Sequence, residues 1–174
     1  IELFAWAVVG SRAGKRIAIT GTNGKSTVTA LTGHLLRSAG VDCEVAGNIS
    51  PPALDALAKR KTSPAAWVLE LSSYQLETTW SLAPDAAAML NLSEDHLDRY
   101  AGLADYAAAK ARVFMGGGVQ VLNRCDAASM AMAQPARTQV TFGLDAPDMP
   151  EDFGIGNAEN AGWLVRGSER ILLV

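Results

Sequence analysis

AITGTNGKST (residues 18–27) joins a short β-branched run to a long amphipathic segment, and its two glycines decide which fold the sequence predicts. The common phosphate-binding loop, G-x-x-x-x-G-K-[ST], requires a glycine five residues before the second one. Ile19 occupies that position, so the common pattern is not matched. Gly21 and Gly24 instead form a shorter G-x-x-G-K-S, whose meaning depends on the segments around it.

The flanking segments predict a strand before this loop and a helix after it. RIAIT (16–20) is a short run with a strand-like composition. Residues 25–39 place apolar side chains at helical spacing, and Gly40 would end the helix. The predicted buried face consists of Val28, Leu31, Leu35 and Ala39.

This order of elements is what phosphate binding requires. A glycine turn lets backbone N–H groups approach an anion, and the positive N-terminus of the following helix faces it. Lys25 could reach the terminal phosphate oxygens, and the Ser26 hydroxyl could ligate a bound magnesium ion. The alternative is a plain glycine turn with both side chains in solvent. The strand before and the amphipathic helix after favour nucleotide binding.

The rest of the chain predicts an α/β fold, with a P-loop-type parallel sheet covered by helices on both faces. Further strands are expected at 41–47, 66–71, 85–92 and 119–123, and further helices at 51–60 and 103–115. IELFAWAVV (1–9) is strand-like. After Ala136, short strands and a hairpin signal at Gly167-Ser168 indicate a small antiparallel β appendage near the C-terminus.

Composition argues against two classes of function. The net charge of −3 comes without a long basic run, so a nucleic-acid surface is not expected. The apolar runs are too short to span a bilayer, so no membrane association is expected. Cys43 and Cys125 are expected to be reduced thiols of a cytoplasmic protein, with a structural disulfide as the alternative.

Polar residues follow several predicted strands at their carboxyl ends, where ligands bind in open parallel sheets. Glu70 ends the third strand, and GNIS (47–50) follows the second. The loop after the fourth strand carries Asn91, Glu94, Asp95, His96 and Asp98. Topology therefore brings a carboxylate and an acidic, histidine-containing loop toward the expected phosphates.

Each of these residues also has a structural interpretation. Glu70 lies in an apolar strand, where an unpaired charge is costly, so a functional partner is favoured over a structural salt bridge. His96 could be an ordinary surface histidine, although its position beside a phosphate site favours contact with metal or substrate. Lys110, in YAAAKAR, has the appearance of a solvated helix lysine.

Three motifs in this order resemble the ATP-dependent Mur ligases of bacterial cell-wall synthesis. They are the short loop at 21–25, LELSSYQLE (69–77) and NLSEDHLDRY (91–100). The resemblance covers residues 14–125 well and the tail weakly. The second and third motifs are most similar to the branch that adds D-glutamate to UDP-N-acetylmuramoyl-L-alanine. NRCD (123–126) departs from the N-x-D-D common in the family, and no role is assigned to it.

The resemblance implies roles for individual residues. ATP phosphates would be held by Gly21, Thr22, Asn23, Gly24, Lys25, Ser26 and Thr27. Two Mg²⁺ ions, with Mn²⁺ as an alternative, would be held by Ser26, Glu70, His96 and Lys110. Lys110 would carry a carbamate, and Asn48 and Ser72 would contact the muramyl substrate. The catalytic residues implied are Lys25, His96 and Lys110.

The implied protein is an amide-forming ligase that works through an acyl phosphate. Residues 1–15 would end a linker or strand from an N-terminal domain, and residues 16–174 would be the central ATP-binding domain, truncated at its C-terminal end. We expect small-molecule substrates, no nucleic-acid or membrane partner, and a monomer that is inactive without the other domains. The alternatives are a folylpolyglutamate synthase-like or other Mur-type carboxylate–amine ligase, or a non-catalytic nucleotide-binding module.

Overall fold

The computed structural model of the chain describes residues 1–8, 14–96, 98–158 and 161–173. Its strands are β1 Lys15–Thr20, β2 Cys43–Gly47, β3 Ala66–Glu70, β4 Ala86–Met89, β5 Val119–Asn123, β6 Gln139–Phe142, β7 Phe153–Ala158, β8 Ala161–Arg166 and β9 Glu169–Leu173. Its helices are α1 Glu2–Val8, α2 Lys25–Ser38, α3 Ala53–Lys59, α4 Ser73–Glu77, α5 Leu103–Ala111 and α6 Ala127–Ala131. A short 3-10 helix, Arg112–Phe114, continues α5. None of these helices is long and apolar enough to cross a membrane.

All nine of these strands join one sheet in the order β2-β3-β1-β4-β5-β6-β7-β8-β9. The strands from β2 to β7 in this order pair in parallel, so β1 lies in the middle with its carboxyl end between those of β3 and β4. The predicted α/β class is therefore confirmed. Ligand sites in such sheets form at the carboxyl edge, beside the central strands.

Helices cover both faces of this sheet, as predicted. Successive strand residues point to opposite faces. Ala18 and Leu69 face the larger apolar core, which includes residues of α1, α3 and the 3-10 helix. Ile19 and Val68 face a smaller core that α2 covers. The core on each side holds β1 and β3 rigid, and these strands deliver the candidate site residues to the edge.

The expectation of a strand at 1–9 was wrong, because residues 2–8 form α1. Phe4 is fully buried, and its ring meets Trp67 edge-on at a centroid distance of 4.9 Å. The Glu2 carboxylate accepts hydrogen bonds from the backbone N–H groups of Trp80 and Ser81. An apolar run of this length is compatible with strand or helix, and packing against the core decided between them. Residues 9–13 of the expected linker lie outside the described residues.

The buried face of α2 also differs from the prediction. Leu31 and Leu35 are 53% and 59% exposed, whereas Thr29 and Gly33 are buried. A Cβ atom at position 33 would lie only 2.2 Å from a methyl group of Val45. The helix therefore packs closely on β2 through its smallest residues, a preference that apolar periodicity does not report.

The small antiparallel β appendage expected after Ala136 is confirmed, and its strands continue the main sheet. β6 pairs in parallel with β5, and only β7, β8 and β9 form an antiparallel meander. The hairpin at Gly167-Ser168 is confirmed, with Gly167 at a φ of 53° between β8 and β9. Short strands rich in glycine carry too little pattern to show which neighbour they pair with.

Candidate functional site

The glycine loop between β1 and α2 has the geometry of an anion site. Gly24 has a φ of 78°, a left-handed conformation that favours glycine, and α2 begins at the next residue. None of the side chains that the structure describes caps this helix N-terminus. The first backbone N–H groups of a helix have no partner within it, and they attract an anion when nothing else satisfies them. The predicted strand, turn and helix are confirmed.

Asn91 holds the first half of this loop. Its backbone carbonyl accepts from the N–H of Thr22 at 2.9 Å. Its side-chain oxygen accepts from the N–H of Asn23 at 2.9 Å, and its amide nitrogen donates to the carbonyl of Asn23 at 3.1 Å. The N–H groups of Thr22 and Asn23 are thus satisfied within the protein. The first N–H groups of α2 have no partner within the helix and remain for an anion, and phosphate contact of residues 21–27 stays a prediction.

Both candidate lysines reach the loop from different helices. Lys25 donates to the carbonyl of Thr22 at 2.8 Å, and Lys110 donates to the carbonyl of Gly21 at 2.8 Å. Lys110 is 1% exposed, so its interpretation as a solvated helix lysine was wrong. Burial, and secondly the charge of Lys25, lower the pKa of Lys110 to about 8, whereas Asp95 acts in the opposite direction.

Tyr106 is a residue of this site that the sequence interpretation missed. It is 1% exposed, and its ring centroid lies 4.7 Å from the ammonium of Lys110 and 6.0 Å from the ring of His96. The available signal was its spacing, since Tyr106 and Lys110 are four residues apart and therefore share one face of α5. The ammonium of Lys110 therefore makes a cation–π contact with this ring.

Glu70 lies at the carboxyl end of β3, beside β1, because Ile19 pairs with Glu70 in the parallel register. It is 2% exposed, and one carboxylate oxygen accepts from the side-chain amide of Asn48 at 3.0 Å. The other oxygen is buried without a hydrogen-bond partner among the described residues. No described residue forms an ion pair with it, so the structural salt bridge considered as an alternative is not found there. A buried anionic oxygen without a partner suits a cation.

His96 follows β4 and lies at the same edge, because β4 pairs with β1. Its ring nitrogen Nε2 is 3.5 Å from a carboxylate oxygen of Asp95, and its ring packs on that of Tyr74 at 4.9 Å. The side chain is 40% exposed. Glu94 and Asp98, from the same loop, are exposed. In the described part of the chain, no three His, Cys, Asp or Glu side chains form a metal-binding group.

Ser72 has a structural role that the sequence did not reveal. It is the N-cap of α4, where its hydroxyl accepts from the N–H of Gln75 at 3.3 Å and the Gln75 side chain accepts from the N–H of Ser72 at 3.0 Å. This reciprocal arrangement is a capping box. Contact with the muramyl substrate remains a prediction for Ser72 and for Asn48.

The carboxyl edge therefore gathers an anion site, two lysines, a buried carboxylate and a histidine around the end of β1. The helix N-terminus and lysines suit a polyphosphate, and the unpaired Glu70 oxygen suits a cation bound with it. Side chains near the phosphate loop come from β3, the β4–α5 connection and α5. The donors, charges and unpaired carboxylate oxygen at this edge therefore suit a nucleotide bound together with a cation.

Comparisons with known proteins agree with this geometry. The model of the family described as Mur ligase middle domain matches residues 19–162. UDP-N-acetylmuramoylalanine–D-glutamate ligase of Nitrosospira multiformis is 55% identical over 99% of this chain, which spans 38% of that relative's length. The ligase of the same name from Aromatoleum aromaticum is 56% identical over 94% of the chain, which spans 36% of that relative.

A solved structure shares the fold. UDP-N-acetylmuramoyl-L-alanyl-D-glutamate–2,6-diaminopimelate ligase matches with a TM-score of 0.73 and 28% identity, over 97% of this chain and 40% of the other. The family model covers well over half of the chain, in agreement with the glycine loop and the two motifs that follow it. On these grounds the chain belongs to the Mur ligase middle-domain family.

Proposed function

We propose that the chain is the central ATP-binding domain of a cytoplasmic, monomeric ligase that joins D-glutamate to UDP-N-acetylmuramoyl-L-alanine in peptidoglycan synthesis. The observation that carries the proposal is the hydrogen bond that the buried ammonium of Lys110 donates to the carbonyl of Gly21 in the phosphate loop, at 2.8 Å. The names of the relatives supply the substrate class. Residues 1–15 would follow an N-terminal domain, and their helix α1 packs into the core of the ATP-binding domain formed by residues 16–174.

The reaction has two steps. A carboxylate oxygen of the muramyl-alanine substrate attacks the γ-phosphorus of ATP, which forms an acyl phosphate and releases ADP. The amine of D-glutamate then attacks the acyl carbon, and inorganic phosphate leaves from the tetrahedral intermediate. The first step must bring several anions together, so the protein contributes mainly positioning and electrostatic stabilisation.

Several residues of the site divide this work. Lys25 and the first N–H groups of α2 offset the charge of the terminal phosphates, with Gly24 giving them a close approach. Ser26, Glu70, His96 and a carbamylated Lys110 would hold two Mg²⁺ ions, for which Mn²⁺ could substitute. The buried unpaired oxygen of Glu70 fits such an ion. When bound, the metal would neutralise charge on the phosphates.

A carbamate on Lys110 solves an electrostatic problem at this site. An ammonium group beside the phosphate loop repels a divalent cation, whereas a carbamate provides the oxygen ligands that Mg²⁺ prefers. The neutral amine attacks CO₂, a proton leaves the nitrogen, and the product is an anion. The lowered pKa of Lys110 favours this reaction, because it raises the fraction of neutral amine near pH 8.

Carbamylation of Lys110 should therefore depend on pH in a defined direction. Below its pKa of about 8 the side chain becomes the ammonium ion, which cannot attack CO₂, so occupancy should decline as pH falls from about 8.5 to about 6.5. The measurement is carbon NMR of the protein in ¹³C-labelled bicarbonate. Lys110→Met should lack the carbamate resonance. A resonance that persists in that variant would belong to another amine and contradict the assignment.

A substrate panel tests the proposed reaction. In the full-length protein that carries this domain, sustained production of ADP over many turnovers should require both UDP-N-acetylmuramoyl-L-alanine and D-glutamate. A folylpolyglutamate synthase would instead require a folate and L-glutamate. Turnover that depends on a folate and ignores the muramyl substrate would overturn the proposal, as would ATP binding without any carboxylate-dependent turnover.

A further inference from the structure

We propose that Asn91 is a positioning residue for the nucleotide site, held in place by polar side chains of the β5–α6 connection. It shapes the phosphate loop before ATP binds, and it acts through the loop. This inference rests on the proposed function for its effect on catalysis. Its structural part, the control of the loop by Asn91, stands on contacts alone.

Asn91 contacts the loop through its backbone carbonyl and through both ends of its side-chain amide. The backbone carbonyl takes the N–H of Thr22, and the side-chain amide makes a reciprocal pair with the N–H and carbonyl of Asn23. A planar amide is the side chain that accepts and donates at once in this manner. Both ends of the side-chain amide bond to the loop, which makes Asn91 a residue that positions the loop.

The β5–α6 connection holds the chain on both sides of Asn91. Asn123 donates its side-chain amide to the carbonyl of Leu90 at 2.8 Å. Asp126 accepts from the N–H of Leu92 at 3.0 Å and caps α6 with its other oxygen, which accepts from the N–H of Ser129 at 2.6 Å. These bonds fix the backbone of Leu90 and of Leu92, the residues before and after Asn91.

Ser129 completes this support from within the core. Its hydroxyl is buried, donates to the carbonyl of Met89 at 2.8 Å and accepts from the N–H of Asn123 at 3.0 Å. The connection thus reaches the backbone at positions 89, 90 and 92. These bonds hold the backbone at the end of β4 in place. Two of the residues that form them, Asn123 and Asp126, belong to NRCD (123–126), to which no role was assigned from sequence.

The physical consequence concerns the direction of the loop amides. With Asn91 in place, the N–H groups of Thr22 and Asn23 both donate to it, which leaves the first N–H groups of α2 available for an anion. Without the side chain, the N–H and the carbonyl of Asn23 lose their partners and the loop can adopt other shapes. ATP would then have to select one of them, which lowers its apparent affinity.

Loss of a hydrogen-bonding side chain that only stabilises the fold should lower stability and leave ATP binding unchanged. Gln120 provides a matched control of this kind. It lies on β5 and is fully buried; its side chain bonds to the backbone of Met132 and Gln134 at 3.1 and 2.7 Å. It has no bond to the segment around Asn91. Gln120→Leu should therefore lower the thermal stability without changing the affinity for ATP.

The experiment compares Asn91→Ala, Asn91→Asp and Asp126→Ala with Gln120→Leu in the full-length protein. Amide hydrogen exchange without nucleotide is the first readout, and exchange of Asn23 should accelerate in Asn91→Ala, which removes the acceptor of its N–H, and less in Asp126→Ala. The second readout is KM for ATP, which should rise about tenfold or more in Asn91→Ala, with KM for D-glutamate unchanged. Asn91→Asp keeps size and one acceptor, so it serves if the alanine variant does not fold.

The outcomes separate this inference from the proposed function. If the parent protein shows no D-glutamate-dependent turnover, the proposed function fails, and the exchange data still decide whether Asn91 controls the loop. If the parent is active and Asn91→Ala leaves both the exchange of Asn23 and KM for ATP unchanged, the inference fails. If that variant does not fold, an unchanged KM for ATP in Asn91→Asp, which loses the donor to the carbonyl of Asn23, contradicts it. An equal rise of KM for ATP in Gln120→Leu would also overturn it, because loss of stability would then explain the effect.

Discussion

Lys25→Ala in the full-length ligase should lower kcat/KM for ATP by about a thousandfold, the loss typical of a group that stabilises transition-state charge. Lys25 is the first residue of α2 and lies against the loop, 2.8 Å from the carbonyl of Thr22. Among the described residues no carboxylate forms an ion pair with it, so its charge remains available for the terminal phosphates. Steady-state kinetics with varied ATP measure the effect.

Lys25→Ala should also change the pH at which Lys110 forms its carbamate. The positive charge of Lys25 is the second cause of the lowered pKa of Lys110, after burial. Removing it should raise that pKa, so the carbamate should form at higher pH in Lys25→Ala than in the parent. This second readout reports the electrostatic contact between the two lysines independently of turnover.

Lys15→Ala is the matched control for Lys25. Lys15 lies at the opposite end of β1, where its exposed ammonium pairs with Asp85 at 2.9 Å. Exposed pairs of this kind contribute little to stability, typically about 1 kcal/mol or less. Kinetic constants should therefore stay within about twofold of the parent values. Normal kcat/KM for ATP in Lys25→Ala would contradict the assignment of the loop.

Glu70→Gln should have opposite effects on activity and on stability. The variant keeps the shape of the side chain and an acceptor for Asn48, but it removes a buried charge whose second oxygen lacks a partner. We expect the free energy of unfolding, measured without nucleotide or metal, to rise by about 1 kcal/mol. Metal-dependent turnover should fall by about a thousandfold, because the amide no longer offers an anionic ligand.

A loss of turnover together with a gain in stability is characteristic of a functional residue that destabilises the folded protein. Glu44→Gln is the control, because Glu44 lies on the neighbouring strand β2 and pairs with Arg60 at 2.9 Å. Its loss should leave turnover unchanged and should lower stability slightly or not at all. A clear loss of stability in Glu70→Gln, with turnover intact, would indicate that Glu70 has a structural role only.

Local patterns predicted most of the elements correctly. The strand before the loop, the helix from Lys25 and the hairpin at Gly167 each depend on residues only a few positions apart. The short helices α4 and α6 were missed, because each has five residues and depends on a cap, from Ser72 and Asp126 respectively, more than on apolar periodicity. The strand expected at the N-terminus failed for the converse reason, since its apolar run fits two structures.

The sequence by itself determined the order of strand, glycine turn and helix, and the edge of the sheet on which Glu70 and His96 lie. These follow from local patterning and from the parallel direction of the strands. Only the tertiary structure decided that Lys110 is buried against Gly21, 89 positions away, and that the side chain of Asn91 hydrogen-bonds to Asn23, 68 positions away. Contacts between such distant residues depend on how helices pack on the sheet, which no local pattern of residues records.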